Sequence, residues 1–315
     1  MPDTAAGVMD PIATATPSPT KSIVAAIVVH YRDAASTLRC VASLLAQTSP
    51  PFVVLVDNAS PDGSWTTIVE VLGGTREVTL VRAGKNGGFG AGCNVGIAHA
   101  LDHWPQLAEV LLLNPDAELA ADGLATMTAL RRERPRAGIV GCRIVDAAGN
   151  LWFGNGRFRP WSLSRMHAAP PPDAIEHRSD FVTGACMLID GDLLRDGLRF
   201  REDYFLYCED VDLCRRVTAL GRECWVTHRT RARHEGGGSQ PGERVLGELT
   251  AERLYWLTRA KVVLARRVLS GPQRLVFFLL AFTAKPVVGI GMARSLRFLP
   301  AYLRALRDGL RAKLE

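Results

Sequence analysis

Residues 52–64 read FVVLVDNASPDGS, an apolar run of strand length that stops abruptly at Asp57 and continues as a polar turn. The same design occurs upstream, where residues 23–29 (IVAAIVV) are apolar without interruption and lead into His30. An unbroken apolar run is typical of a strand that is buried on both faces. Both segments therefore predict buried strands whose carboxyl ends carry polar side chains.

Further strands and helices alternate with these two segments. Residues 77–82 and 110–113 predict two more buried strands, and periodic apolar residues predict helices over 34–47 and about 91–103. Alternation at this spacing favours a Rossmann-like, mostly parallel α/β sheet with flanking helices. In such sheets ligands bind beyond the carboxyl ends of the strands, which is where this sequence places its polar residues.

The pattern changes beyond residue 150. Residues 151–158 (LWFGNGRF) predict a hairpin, residues 165–180 a proline-rich loop, and residues 181–189 a further apolar strand. A helix is expected over 209–220 and a strand over 223–226. We therefore expect one catalytic unit over 23–245, preceded by a flexible leader at 1–22 and followed by a helical tail at 246–315.

The composition limits the classes of protein that fit. Apolar residues make up 47% of the 315 and charged residues 22%, which excludes a disordered, collagenous or coiled-coil protein. Seven cysteines are scattered along the chain without a CxxC pair. A zinc ribbon or a disulfide scaffold is thus disfavoured, and a reducing compartment is indicated.

The net charge of +6 is unevenly distributed. From Arg253 onward there are thirteen Lys/Arg against two Asp/Glu, so the rest of the chain is mildly acidic. Nucleic acid and anionic membrane are the usual partners of such a basic segment. The apolar run at 275–284 and the alternation of arginine and leucine after 294 favour a membrane surface over nucleic acid.

Two features bear on how the tail would meet a membrane. Lys285 and Pro286 interrupt the apolar stretch, which favours an in-plane or re-entrant arrangement over a straight span. The alternative is that 275–293 packs against the catalytic unit or a second subunit, which would form a homodimer through the C-terminal helices.

Two segments near the predicted strand ends suit a nucleotide. Asp57 can accept the imide N–H of a uracil or thymine ring, or it can cap the following turn. Residues 85–96 (KNGGFGAGCNVG) are dense in glycine just before a helix, so backbone amides can approach a phosphate or a base. Cys93 stands where a dinucleotide fingerprint has its third glycine.

Acidic residues follow later strands. Asp116, two residues after Asn114, suits a divalent cation that also holds diphosphate oxygens, although helix capping is the alternative. Residues 205–216 (FLYCEDVDLCRR) place Glu209 and Asp210 near a helix start, where the helix dipole alone can explain them. A carboxylate there can also serve as a general base. His234 is either a metal ligand or a surface histidine.

Taken in order, these segments resemble glycosyltransferase family 2, in particular its bacterial rhamnosyltransferase-like branch. The resemblance extends over about residues 23–240. It rests on VVHYR (28–32), LVDNASPDGS (55–64), NGGFGAGCNVGI (86–97), LLLNPDAEL (111–119), FVTGACMLI (181–189), FLYCEDVDLCRR (205–216) and the segment around His234.

The resemblance implies a GT-A fold, a nucleotide-sugar donor, a divalent cation (Mg²⁺ or Mn²⁺) and inversion at the anomeric carbon. It makes Asp210 the base, with Glu209 helping to hold the acceptor, and it makes Asp116 and His234 metal ligands. Because the acidic motif reads Asn114-Pro115-Asp116, one carboxylate is missing and the metal must lean on the diphosphate. The implied donor-binding residues are Val29, His30, Tyr31, Asp57, Asn58, Lys85, Asn86, Gly88, Asn94 and Asn114.

The implied donor is dTDP-rhamnose first and a UDP-sugar second, and the acceptor is a polyprenyl-linked glycan at the cytoplasmic face of the membrane. No nucleic acid is expected as a partner. A nicotinamide-dependent oxidoreductase is disfavoured because His30 and Tyr31, not glycines, follow the first strand. A non-catalytic, nucleotide-binding membrane scaffold with the same fold is the other alternative.

Overall fold

A computed structural model describes residues 22–159, 164–235, 250–283 and 298–314. The strands in these ranges are β1 Val24–His30, β2 Phe52–Asp57, β3 Val78–Arg82, β4 Glu109–Leu113, β5 Ala117–Leu119, β6 Ala137–Val145, β7 Leu151–Phe153, β8 Asn155–Arg159, β9 Ser164–Ala168, β10 Glu176–Arg178, β11 Cys186–Asp190 and β12 Glu223–His234. The helices are α1 Ala34–Leu45, α2 Ser64–Leu72, α3 Phe89–His103, α4 Gly123–Glu133, α5 Gly191–Arg195, α6 Glu209–Ala219, α7 Ala251–Val268, α8 Gly271–Phe282 and α9 Leu299–Arg311.

The core of the molecule is a ten-stranded sheet. Its main order is β10-β12-β6-β11-β4-β1-β2-β3, with β5 beside β12 and β7 beside β6. The β1–β2, β2–β3, β1–β4 and β6–β12 pairs are parallel, and β11 is antiparallel to both of its neighbours. The mostly parallel α/β fold predicted from the sequence is thus confirmed. The carboxyl ends of β1, β2 and β4 meet at one edge.

The glycine-rich segment before α3 is explained by close packing. A Cβ atom on Gly92 would lie 2.5 Å from Val29 Cγ1, and one on Gly96 would lie 2.5 Å from Ile27 Cγ2. The two missing side chains therefore allow α3 to approach β1 closely. This contact brings the amino end of α3 to the same edge at which the strands end.

Three predictions about the middle of the chain are wrong. The loop expected at 165–180 contains strand β10 and most of β9, because these segments pair with β12 and β8. Residues 151–158 do not form a hairpin with each other, because β7 pairs with β6 while β8 pairs with β9 in a separate two-stranded sheet. The predicted strand at 181–189 begins only at Cys186. Residues before it turn at Gly184, whose backbone N–H points to Asp210 Oδ2 at 3.4 Å.

All seven cysteines are free and buried, and each lies within the described ranges. Burial raises the pKa of the Cys40 and Cys93 thiols well above the ordinary value. The cysteines of this chain are therefore packing residues, as their scattered positions suggest.

The tail is helical where it is described. Helix α9 packs on α7, where Arg266 donates hydrogen bonds to the carbonyls of Gly309 and Ala312 and Tyr255 donates to Asp308. Of the helices described, none combines the length and the apolar character needed to cross a bilayer. Residues 1–21 and 284–297, including Lys285, Pro286 and the arginines at 294 and 297, lie outside the described residues.

Candidate active site

Asp57 is the last residue of β2, and its side chain is fully buried. Its Oδ1 accepts a hydrogen bond from the Ser60 amide at 2.9 Å, which is the turn-capping contact expected of an acid at this position. Its Oδ2 lies 3.4 Å from Arg82 Nε in an ion pair but accepts no hydrogen bond within the described protein. A buried carboxylate oxygen without a donor suits an N–H group of a ligand, as on a pyrimidine ring.

Asn58 joins the end of β2 to the start of α3. Its amide donates to Asn86 Oδ1 at 3.0 Å and to the Gly88 carbonyl at 3.2 Å, and its own Oδ1 has no donor among the described residues. Asn86 Oδ1 also accepts from the Gly88 amide at 3.0 Å. Since Gly88 has φ +88°, this network fixes a left-handed turn beside Asp57.

His30 ends β1 and is fully enclosed by protein. Its Nδ1 lies 2.8 Å from Thr37 Oγ1 and its Nε2 lies 2.9 Å from Ser64 Oγ. Burial lowers the pKa of His30 although nearby carboxylates act in the opposite sense. The imidazole is therefore a neutral link from β1 to α1 and to the first residue of α2, and it supports the site rather than facing it.

The other predicted donor residues differ in their surroundings. Val29 is buried against α3, Tyr31 is half-buried with the Arg32 guanidinium 5.1 Å from its ring centre, and Lys85 is exposed. Asn94 is engaged elsewhere: its amide bonds to the backbone of Phe200 in both directions. Its side chain thus fastens residue 200 to α3.

Asp116, His234 and Asn114 meet where β4, β5 and β12 come together. His234 Nε2 lies 3.1 Å from Asp116 Oδ1 and 3.2 Å from Asn114 Nδ2. The antiparallel pairing of β12 with β5 sets this geometry, because it places His234 opposite Ala117. Trp152 covers the cluster, with its ring centre 4.7 Å from that of His234.

The cluster suits a divalent cation in part. The described residues contain no group of three His, Cys, Asp or Glu side chains that could hold a metal ion. Yet His234 Nε2 faces both an amide donor and a carboxylate acceptor, and one nitrogen cannot satisfy both at once. A cation held by Nε2 and Asp116 would remove this conflict, with its remaining ligands supplied by phosphate oxygens and water.

Asp210 and Glu209 occupy the first turn of α6 and are both buried. Asp210 Oδ2 lies 3.4 Å from the Gly184 amide, and Oδ1 lies 2.8 Å from the Val211 amide. The carbonyl of Ala185, next to Gly184, accepts a hydrogen bond from the Asn114 amide at 3.0 Å. The acidic pair and the Asp116 cluster are therefore linked through one short turn at the same edge of the sheet.

The loop before α6 also touches the glycine-rich turn. The Phe89 amide donates to the Phe205 carbonyl at 3.1 Å, and a Cβ atom on Gly88 would lie only 2.0 Å from that oxygen. Direct contacts thus join the ends of β2 and β4, the turn at Gly88 and the start of α6. Of the other predicted residues, Val29 and His30 are buried, Lys85 is exposed and Asn94 bonds to Phe200. Sequence reasoning missed Trp152, for which the aromatic segment 151–158 was the available signal.

A cavity of about 840 Å³ lies elsewhere, lined by residues of β5, β6, β7 and β12 together with Pro170 and Pro171. It includes Arg143, Arg231 and Arg233, but none of the predicted site residues. Along β12, Arg233 lies next to His234, and alternate residues of a strand point to opposite faces. We therefore place this cavity on the far side of the sheet from the Asp116 cluster.

The sheet, in which β1 to β4 run parallel and β11 lies antiparallel beside β4, and the acids and amides at its carboxyl edge define a GT-A type glycosyltransferase. Residues 25–198 match the sequence family described as "Glycosyl transferase family 2". The chain belongs to that family.

Its relatives and structural neighbours agree with this assignment. The chain is 29% identical over 231 residues to the N-acetylglucosaminyl-diphospho-decaprenol L-rhamnosyltransferase of Mycobacterium tuberculosis H37Rv, covering 64% of this chain and 71% of the relative. It is 28% identical over 147 residues to rhamnosyltransferase WbbL of Escherichia coli K12, covering 42% and 55%.

Solved structures show the same fold. Staphylococcus aureus TarS 1-349 matches with a TM-score of 0.56 and 17% identity over 92% of this chain and 80% of TarS. GalNAc-T7 with UDP, GalNAc and Mn²⁺ matches with a TM-score of 0.59 and 14% identity over 78% of this chain and 48% of that protein.

Proposed function

We propose that this protein is an inverting glycosyltransferase that moves a sugar from a nucleoside diphosphate to a hydroxyl of a polyprenyl-linked glycan. One observation carries the proposal: direct contacts link the segments that bear Asp57, the Asp116–His234 pair and Asp210, through Asn114 and Ala185 on one side and through Asn58, Gly88 and Phe205 on the other. We take the space between these groups as the donor cleft. These groups offer contacts for a base, for a diphosphate with its cation, and for a hydroxyl proton. A bare nucleotide-binding scaffold would not need the last of these.

The donor is bound through its base and its diphosphate. Asp57 Oδ2, which accepts no hydrogen bond within the described protein, accepts the imide N–H of thymine or uracil. Asn58 and Asn86 border the same turn. The rhamnosyltransferase relatives support rhamnose as the sugar, with dTDP-rhamnose as the first donor to test. A UDP-sugar is second, and TarS has been crystallised with UDP-GlcNAc.

Charge on the leaving diphosphate must be neutralised for the sugar to transfer. Asp116 and His234 would hold a Mg²⁺ or Mn²⁺ ion, and a bound ion supplies Lewis-acid stabilisation of the departing phosphate. The crystal of GalNAc-T7 with Mn²⁺ supports a divalent cation in this fold. With only one carboxylate in the motif, oxygens of the diphosphate would complete the ligand set.

The acceptor hydroxyl reacts on the opposite face of the sugar. Asp210 accepts its proton as general base, with Glu209 beside it to hold the acceptor. The hydroxyl oxygen then bonds to the anomeric carbon while the bond to the diphosphate breaks, so the configuration inverts in one displacement. The Gly184 amide keeps the Asp210 carboxylate turned toward the cleft.

The acceptor reaches the site from a membrane surface. Leu275, Leu279 and Phe282 of α8 are 63%, 56% and 53% exposed, which leaves an apolar face without a protein partner among the described residues. Exposed Arg274 of α8, together with exposed Arg307 and Arg311 of α9, supplies positive charge on the same helical tail. An apolar face with flanking arginines fits the cytoplasmic leaflet of an anionic membrane. A second copy of the chain is the competing occupant.

A donor panel tests the proposed activity. Purified protein is incubated with dTDP-rhamnose, UDP-sugars and GDP-sugars, with and without a short polyprenyl-diphosphate-linked N-acetylglucosamine acceptor. We expect release of one nucleoside diphosphate that depends on the acceptor, and a product of inverted anomeric configuration by NMR. Tight donor binding without turnover of any donor would identify the protein as a non-catalytic scaffold instead.

A further inference from the structure

The loop that delivers Glu209 and Asp210 has a costly backbone conformation. Phe205, Tyr207 and Cys208 have φ values of 63°, 71° and 66°, a region that residues with a side chain rarely occupy. Such conformations persist only when the surrounding structure holds them in place. Three of them in four residues, directly before the proposed base, call for identifying what holds them.

Part of the restraint comes from the catalytic unit itself. The Phe205 carbonyl accepts the Phe89 amide, and the Tyr204 hydroxyl donates to Asp212 Oδ1 at 3.2 Å. Asp212 is in turn paired with Arg201 at 3.0 Å and with Arg216 at 2.9 Å. These contacts fix the two sides of the loop but leave the outer face of residues 203–205 uncovered.

Helix α7 of the tail covers that face. Arg259 donates to the carbonyls of Asp203 and Tyr204 at 2.6 and 3.2 Å, and the Trp256 ring stacks on Phe205 with a centroid distance of 4.1 Å. Arg267 pairs with the Asp203 carboxylate, and both side chains are less than a tenth exposed. The Arg267 guanidinium also lies 5.4 Å from the centre of the Tyr204 ring.

The three residues of α7 form one contact surface. Positions 256, 259 and 267 fall within an arc of about 80° on a helix with 3.6 residues per turn. Arg266 borders this arc, but its guanidinium donates to carbonyls in α9 and just after it, away from residues 203–205. Buried ion pairs such as Arg267–Asp203 contribute little to the net free energy of folding. Their main effect here is to fix the position of residue 203 relative to α7.

We propose that Trp256, Arg259 and Arg267 are positioning residues, which hold residues 203–208 in this strained conformation and so aim the Asp210 carboxylate at the acceptor hydroxyl. The tail is then a working part of the active site as well as a membrane contact. The proposal rests on the function of Asp210 given above, and its first test is made independent of that function.

The first test measures hydrogen exchange in the full-length protein without donor. Arg259→Met is compared with the matched control Arg266→Met on the same helix. We expect at least about tenfold faster exchange of amides in 203–212 and of the Phe89 amide in Arg259→Met, and no change there in Arg266→Met. Equal exchange in both variants would overturn the proposal, whatever reaction the protein catalyses.

The second test separates positioning from general stability. We expect Arg259→Met to lower kcat about 10- to 100-fold while the donor KM changes less than about twofold, because a small displacement of a catalytic group affects chemistry more than binding. Arg259→Lys should recover part of kcat, and Arg266→Met should keep it. If Arg259→Met lowers the melting temperature but leaves kcat unchanged, α7 stabilises the fold by packing on residues 203–205 and does not position Asp210.

If Arg259→Met does not fold, Trp256→Phe takes its place, since it retains an aromatic ring of smaller area. We expect it to lower kcat with donor KM preserved. An unchanged kcat together with unchanged exchange in 203–212 would overturn the positioning role of α7. If the variant alters exchange in 203–212 but the wild-type protein transfers no sugar, the positioning role of α7 stands and the proposed function is refuted.

Discussion

The nucleotide side of the cleft and the loop before α6 are built by opposite means. Asp57 and Asn114 sit where regular parallel strands end, so the hydrogen bonds of the sheet itself fix their positions. Asp210 follows three residues with positive φ, and the Phe89 amide of α3 and side chains of α7 hold that loop from outside. Regular structure therefore places the binding groups, while long-range packing places the proposed base.

The comparison has a practical consequence for how each side fails. A change on the nucleotide side removes one contact and leaves its neighbours in register. A change around residues 203–208 releases backbone strain and displaces Glu209 and Asp210 together, because an irregular segment has no ladder of strand hydrogen bonds that keeps its residues in place. The following substitutions probe this difference, from the largest effect to the smallest.

Asp210→Asn should have the largest effect. Loss of a positioned general base lowers the rate about 10²- to 10⁴-fold, while the isosteric amide leaves the fold and donor binding nearly intact. Turnover is measured by nucleoside diphosphate release and donor binding by calorimetry. A variant that keeps more than about a third of wild-type turnover would show that Asp210 is not the base.

His234→Ala should raise the Mg²⁺ or Mn²⁺ concentration needed for half-maximal turnover by about 10- to 100-fold. The reason is that Asp116 alone would be left to hold the ion against chelation by the buffer. His103→Ala, at an exposed histidine of α3, is the control. Full activity of wild-type protein in EDTA, with no metal by elemental analysis, would refute a metal role.

Gly88→Ala and Gly63→Ala form a matched pair for the strained loop. Both glycines have positive φ, so either substitution costs about 1–2 kcal/mol of folding free energy. Only at Gly88 does the new Cβ meet the Phe205 carbonyl, whereas nothing lies within 4 Å at Gly63. Urea titration should show a larger loss for Gly88→Ala, accompanied by a fall in kcat. Equal losses would mean that the loop yields easily.

Arg307→Gln and Arg311→Gln should have the smallest effect. Each basic residue near an anionic bilayer contributes about 1 kcal/mol, or about fivefold in vesicle affinity. Flotation with phosphatidylglycerol vesicles is compared with flotation on zwitterionic vesicles, and Arg132→Gln on α4 is the control. If the full-length protein does not bind anionic vesicles at low salt and forms a stable dimer, the apolar face of α8 is the contact with a second copy of the chain.

Much of the fold could be predicted because its signals are local. Unbroken apolar runs reveal buried parallel strands, and polar residues such as Asp57 and Asp116 mark their ends, so the edge where they meet follows from topology. The hairpin expected at 151–158 failed for the complementary reason. The partner of a strand is determined by packing between residues that are distant in the sequence, and β7 pairs with β6 instead of with β8.

The support of the site could not be predicted in the same way. The family resemblance implies that Asn94 binds the donor, yet its side-chain amide bonds to the backbone of Phe200, over a hundred residues away in the chain. The contacts of Arg259 with residues 203 and 204 also span more than fifty residues. No periodicity or spacing in the sequence encodes such pairs.

The burial of all seven cysteines makes the natural chain a convenient background for spectroscopy. Enclosed thiols are shielded from maleimides, and burial raises the pKa of the Cys40 and Cys93 thiols, which lowers the amount of the reactive thiolate. A single cysteine introduced at exposed Leu310 would then carry the only fast-reacting label. A polarity-sensitive fluorophore at that position would report directly whether α9 meets lipid, water or another protein.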